Sequence, residues 1–219
     1  MMMTLTEENY LKALFHLSTE NPAVSVLDLS KSLDIKMPTV NSMVKKLAAK
    51  GLVLYEKYKP LRLTEEGRRS AGLIIRKHRL VEMFLVEKMG FGWDEVHEVA
   101  EQLEHIQSPK LFQKIDEILN HPKVDPHGSP IPDEKGVIAV QNFVALSECT
   151  PGTLYRFMAV GSSDDRFLRQ IDRLGFRLGD TIRILETMDF DRSQHVIINE
   201  NTPQSFSHQI SANIRVIAV

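Results

Sequence analysis

The stretch with the most chemical potential is Val96-His97-Glu98-Val99-Ala100-Glu101-Gln102-Leu103-Glu104-His105. At about 100° per residue on a helix, counting from His97, Glu101 falls near 40°, Glu104 near −20° and His105 near 80°. Four possible ligands therefore share an arc of roughly 100°. Val96, Val99, Leu103 and Ile106 fall on the opposite side, as a buried stripe should. Upstream, His78 and Glu82 are i,i+4 neighbours and form a second His/Glu pair. Imidazole and carboxylate without thiolate suit borderline-to-hard divalent ions: Mn2+, Fe2+, Co2+ or Zn2+. The plainer alternative is an amphipathic helix whose His and Glu simply face water. Against it, this face carries no Lys or Arg. Like charges at i,i+3 and i,i+4 destabilise a helix unless a cation arrives.

The same residues do not compose an enzyme. His97-Glu98 followed by Glu101 misses the second histidine of the zinc-peptidase H-E-x-x-H pattern. A carboxylate-bridged oxidase needs Glu-x-x-His on two helices, which Glu101 to His105 and His78 to Glu82 do not supply. With no Gly-rich phosphate loop, nucleophile elbow or activated Cys, neither catalysis nor a small organic substrate is expected.

Net charge is −2 over 219 residues, but the charges are segregated. Residues 36 to 62 hold Lys36, Lys45, Lys46, Lys50, Lys57, Lys59 and Arg62 against Glu56 alone. Residues 82 to 105 reverse the balance, with Glu82, Glu87, Asp94, Glu95, Glu98, Glu101 and Glu104 against Lys88. A phosphate-binding part joined to a cation-seeking part follows from that order. The single cysteine, Cys149, excludes a disulfide framework and a Cys-rich zinc site. No apolar run approaches the roughly 18 residues that cross a bilayer. The start, Met-Met-Met-Thr-Leu-Thr-Glu-Glu, lacks the basic and apolar regions of a signal peptide, so a cytoplasmic protein is expected.

The elements that must position these charges begin with a helix over 6–18, with Thr6 as N-cap. Ser25 caps a short helix bearing Val26, Leu29 and Leu33, and Asp34-Ile35-Lys36 turns the chain. Pro38 suits the first turn of the next helix, which buries Val40, Met43, Val44 and Leu47 and ends at Gly51. Leu52 to Tyr55, a polar tip at Glu56 to Pro60, and Leu61-Arg62-Leu63 read as a basic-tipped hairpin. Helix, short helix, turn, helix and hairpin compose a winged helix-turn-helix, which reads double-stranded DNA. The candidate contacts are Lys36, Pro38, Thr39, Asn41, Ser42, Lys45 and Lys46 at the reading helix, with Lys57 and Lys59 on the wing. A long helix over 65–88 follows, then one capped by Asp94 running to Ile106, then one from Ser108-Pro109 to Leu119. Their excess apolar surface predicts a homodimer matching paired half-sites. Residues 122–133, rich in Pro, form a stiff connection. Strands at Gly152 to Val160, Thr181 to Glu186, Val196 to Asn199 and Ile214 to Val219, with a helix from Arg166 to Leu174, indicate a small β-barrel. The fold class is thus mainly α with a small β domain, divided as 1–64, 65–141 and 142–219.

Along essentially its whole length the sequence resembles the diphtheria toxin repressor family of iron- or manganese-dependent bacterial metalloregulators. The matching segments are Lys77 to Glu82, Val96-His97-Glu98 through Glu104-His105, and Asp125-Pro126-His127-Gly128-Ser129-Pro130-Ile131-Pro132. Met37-Pro38-Thr39-Val40 stands where the family's reading helix begins. The resemblance implies a helical metal-binding and dimerisation domain and an SH3-like (FeoA-like) C-terminal barrel. It also implies an ancillary site of His78, Glu82 and His97, and a primary site of Asn9, Glu101, Glu104 and His105. Two departures stand out. Glu101 replaces the Cys of iron-type members, as in manganese-type ones. On the first helix, Asn9 replaces Met or Asp, and Lys12 replaces a second carboxylate. The expected protein is a repressor that binds operator DNA when loaded with Mn2+ or Fe2+ and controls metal-uptake genes. Zn2+ and Co2+ are expected to bind in vitro. The alternative is a winged-helix regulator with a constitutive structural metal.

Overall fold

The computed structural model describes residues 3–219, so residues 1–2 of the expected 1–64 domain lie outside the described residues. The chain divides into two compact units. One runs to His78 and takes in Glu101–Gln113 and Ile131–Ala139; the other comprises Arg79–Ala100, Lys114–Pro130 and Val140–Val219.

The first unit opens with α1 (Leu5–Glu20). It begins one residue earlier than the expected 6–18, and Thr4 rather than Thr6 caps it. The Thr4 hydroxyl accepts from the Glu7 N–H at 3.3 Å, and the Glu7 carboxylate accepts from the Thr4 N–H at 2.8 Å. This reciprocal pair satisfies donors that a helix start leaves open. Ser25 and Asp28 make the same box for α2 (Val26–Leu33), as its Ser25 cap predicted. Asp34 takes a left-handed φ of 52° to turn the chain into α3 (Met37–Ala49), with Pro38 in the first turn. Gly51, at φ 72°, ends it. The wing is short: β1 (Val53–Leu54) pairs antiparallel with β2 (Arg62–Leu63), Val53 opposite Leu63. Leu11, Leu14, Leu29, Val40, Val44, Leu47 and Leu61 interlock beneath them with at most 1% exposure. Each such side chain contributes about 1.5–3 kcal/mol by leaving water.

α4 (Glu65–Met89) supplies residues to both units. α5 (Val96–Leu103) differs from the expected Asp94–Ile106 helix at each end. At its start, Asp94 is occupied by the Arg169 guanidinium at 3.0 Å. At its end, Ile106 N–H bonds back to Leu103 C=O, leaving Glu104 and His105 on a turn. α6 (Pro109–Ile118) follows, and residues 119–143 contain no helix or strand, only an isolated bridge between Val124 and Pro130.

The second unit holds an antiparallel sheet. Its strands are β3 (Val144–Ala145), β4 (Leu154–Val160), β5 (Thr181–Thr187), β6 (Gln194–Ile198), β7 (Gln204–Phe206) and β8 (Ile214–Ala218), in the order β3-β8-β4-β5-β6-β7. α7 (Asp165–Arg173) and α8 (His208–Ala212) complete it. β6 alternates buried Gln194, Val196 and Ile198 with half-buried neighbours, the period-two pattern that marks a one-faced strand. Phe157 stacks on Phe176 with centroids 4.2 Å apart, and Phe206 meets Phe176 edge-on. Among the described residues, no helix is long and apolar enough to cross a membrane.

Phe157 is fully buried on β4. Phe157→Ala is expected to cost about 3–5 kcal/mol. Trp93, the only tryptophan, packs against the same core, so urea unfolding followed by its fluorescence should show an earlier midpoint.

Candidate metal centre

In the first unit, Glu101, Glu104 and His105 each place a ligand atom within 4.8 Å of the others. The turn that ends α5 makes this possible, because it swings Glu104 inward until its side chain is fully buried. Around it, His78 Nδ1 lies 2.5 Å from Glu104 Oε2, and His105 Nδ1 lies 2.6 Å from Glu8 Oε2. The Gln107 amide donates to the other Glu8 oxygen at 2.9 Å.

The counter-charge missing from the α5 face comes from α1. Lys12 Nζ donates to both oxygens of Glu104, each at 2.8 Å, and also to Glu101. Burial pushes the Glu104 carboxyl up, yet His78 and Lys12 together bring it below the usual carboxylate range. Nearby, Lys77 sits over the Phe112 ring at 5.4 Å. Burial lowers its ammonium, while Glu8 and Glu104 oppose that effect.

The second unit brings together Glu82, Asp125 and His127, again within 4.8 Å. His97 Nδ1 lies 3.3 Å from Glu82 Oε1, and His127 Nδ1 lies 4.0 Å from Glu82 Oε2. The other ring nitrogen of His127 is 2.9 Å from the Trp93 carbonyl. A carbonyl only accepts, so that nitrogen carries a proton. Asp125 Oδ1 accepts from the N–H groups of His127 and Ser129, each at 2.9 Å, and Arg79 Nε is 3.4 Å from Oδ2. Burial and the Glu82 charge still push the Asp125 carboxyl up, against His127, Arg79 and Ser129. Gly128 holds this loop in place. Its φ is 88°, and a Cβ there would stand 2.2 Å from the Met158 carbonyl. The loop also accepts, through the His127 carbonyl, from the Val160 N–H at 2.8 Å.

Of the residues expected to bind metal, Glu101, Glu104 and His105 form one group, and Glu82 and His97 meet in the other unit. His78 turns to Glu104. Asn9 Oδ1 is buried without a hydrogen-bond partner. Sequence reasoning assigned no role to Glu8, Asp125 or His127. The run Asp125 to Pro132 was conspicuous for its Pro and Gly, but nothing in it indicates that its Asp and His fold back onto Glu82.

A divalent ion fits the donors of both groups, which are oxygen and nitrogen only. The second-unit group favours it on electrostatic grounds, since Glu82 and Asp125 are buried like charges. In the first unit the orphaned Asn9 oxygen is a further donor, but an ammonium already sits on two of the carboxylates.

The expected nucleic-acid face is mostly open. Lys36, Pro38, Thr39, Ser42, Lys45, Lys46, Lys57 and Lys59 are exposed, and Asn41 is half-buried. Lys46 Nζ is 3.2 Å and Lys50 Nζ 2.6 Å from the buried Glu7 carboxylate. The Lys50 hydrogen bond, with help from Thr4 and Lys46, overcomes burial and holds the Glu7 carboxyl at about 2. Glu7 and Glu8 thus point to different neighbours: Glu7 to α3, Glu8 to His105.

Residues 2–61 match the family described as iron dependent repressor, N-terminal DNA binding domain. Residues 64–133 match iron dependent repressor, metal binding and dimerisation domain. The iron-dependent repressor IdeR of Mycobacterium tuberculosis is 36% identical over 127 residues, 58% of this chain. The chain spans only 55% of that relative's length. The diphtheria toxin repressor of Corynebacterium diphtheriae is 28% identical over 203 residues, covering 90% of this chain and 89% of that one. Among solved structures, a manganese-dependent transcriptional repressor in complex with manganese superposes with a TM-score of 0.81 at 31% identity. That alignment covers 97% of this chain and 100% of the other.

Gly128→Ala should push the Asp125–Ser129 loop off β4 and cost about 1–3 kcal/mol, read as a lower thermal midpoint. His127 touches Trp93, so a shifted emission maximum in the folded variant would locate the damage at this group.

Proposed function

The chain belongs to the iron-dependent repressor family, and from that premise we propose that it is a metal-dependent transcriptional repressor. It binds operator DNA as a homodimer when loaded with Mn2+ or Fe2+ and controls metal-uptake genes in the cytoplasm. Residues 1–64 read DNA, 65–141 bind metal and dimerise, and 142–219 form the SH3-like domain. The proposed ligands are Asn9, Glu101, Glu104 and His105 at the primary site, and His78, Glu82 and His97 at the ancillary one. Asp125 and His127 join the second set through their approach to Glu82. Donors restricted to oxygen and imidazole suit Mn2+ and Fe2+, while Zn2+ and Co2+ bind in vitro by the general affinity order.

The observation that carries this reading is the double attachment of α1. On one side Glu8 and Lys12 meet His105, Glu104 and Glu101; on the other Glu7 meets Lys46 and Lys50 of α3. A bound divalent ion supplies positive charge to the ligand carboxylates. Glu8 and Lys12 respond to the charge on Glu101, Glu104 and His105, and Glu7 conveys any displacement of α1 to the reading helix. DNA then tightens metal binding by the same factor that metal tightens DNA binding. Paired reading helices must meet half-sites about 34 Å apart, so a small displacement of α3 decides whether both fit.

The test is operator binding by chelator-stripped protein titrated with Mn2+, Fe2+ under anaerobic conditions, Zn2+ and Mg2+, on promoter DNA of metal-transport genes. Binding that appears only with Mn2+ or Fe2+ is expected; equal binding with and without metal would retire the switch and leave a structural metal. Glu7→Gln should still bind metal while losing part of the metal dependence of DNA binding. Lys45→Ala or Lys57→Ala should weaken DNA binding across sequences and lower the salt slope by roughly one unit.

A further inference from the structure

The first-unit group solves its charge problem without a metal. Glu104 has no exposure, yet both of its oxygens and one oxygen of Glu101 are engaged by a single ammonium. That ammonium belongs to Lys12, whose side chain is only 12% exposed. It is a built-in contact from α1, made across 92 residues of sequence, not a surface lysine at rest. Lys77, half-buried and feeling both Glu8 and Glu104, adds a second positive charge to the same neighbourhood.

An ion coordinated by Glu101 and Glu104 would stand about 2.0–2.2 Å from their oxygens. Lys12 Nζ already lies against those oxygens, 2.8 Å from each oxygen of Glu104. A dication and an ammonium held on the same carboxylates would face each other at near-contact distance. In a partly dry site their repulsion is only weakly screened. The two cations therefore exclude one another.

We propose that the Lys12 ammonium is the resident cation of the Glu101–Glu104–His105 group, and that metal enters there only by displacing it. Lys12 thus raises the metal threshold of that group. Without metal, the lysine supplies the tie between α1 and the end of α5. The inference rests on the metal-binding reading above and concerns which cation holds the site first.

The experiment is Mn2+ binding, with free ion followed by electron paramagnetic resonance, to the full chain and to Lys12→Met, Lys12→Gln and Lys12→Arg. Each is also measured in a His127→Ala background, which weakens the second-unit group. Thermal midpoints are recorded in excess chelator. Lys12→Met and Lys12→Gln are expected to bind Mn2+ at the first-unit group roughly tenfold or more tightly than the parent. They should also melt earlier without metal and recover with it, while Lys12→Arg keeps the parent's weak binding. Unchanged or weaker Mn2+ affinity in the two neutral variants, with binding elsewhere intact, would overturn the proposal alone. Absence of Mn2+ binding in every variant would overturn the metal-dependent reading as well.

Discussion

A carboxylate taken out of water must be met by positive charge or donors, and such groups organise this chain. Among the described residues Glu7, Glu8, Glu82, Glu104, Asp116 and Asp125 are buried. Leaving any one unpaired would cost several kcal/mol, comparable to a large part of a domain's net stability. Each burial therefore dictates a partner and, through it, a backbone position. Glu104 requires the turn that cuts α5 short; Glu7 requires the α3 lysines; Asp125 requires the tight Gly128 loop that points N–H groups at it. The apolar cores stabilise each unit, but the buried acids decide where helix ends and loops lie.

α1 gathers three of these requirements within six residues. Glu7 closes the capping box that starts the helix and also pairs with α3. Glu8 and Lys12, one turn apart, face the group at the end of α5. Because the helix is rigid and its core side contains fully buried Leu11 and Leu14, it answers a force at Glu8 or Lys12 as one body. Charge at the α5 turn and the position of the reading helix thereby become a single mechanical variable in the proposed switch.

Local punctuation made much of the fold legible. Ser25 followed by Asp28, Pro38 in a first turn and Gly51 after a last one each announce their element through backbone chemistry. The same logic applied to Thr4 and Glu7 would have placed the start of α1 correctly, since they form the same box. β3 and β7, two and three residues long, carry too few positions to show alternation, and α8 has five residues. In the candidate site the ligand types of Val96–His105 were legible from their spacing, although Glu104 and His105 lie on the turn after α5. The Lys12–Glu104 and Glu82–His127 approaches were not, because they join residues far apart in sequence. No helical or strand period reports such pairs.

The two groups answer the same electrostatic problem differently. His78 and Glu82 stand one turn apart on α4, yet His78 serves Glu104 and Glu82 meets His97 and His127. In the first unit His78 and the Lys12 ammonium together hold Glu104 below the usual carboxylate range despite its burial. In the second, burial and the Glu82 charge push the Asp125 carboxyl up, against His127, Arg79 and the Ser129 N–H. A site that already holds a tethered ammonium gains from a metal only once the metal's double charge outweighs that single one. The residues that set these two environments, a lysine on α1 and an aspartate in a proline-rich loop, lie outside the helix that first drew attention.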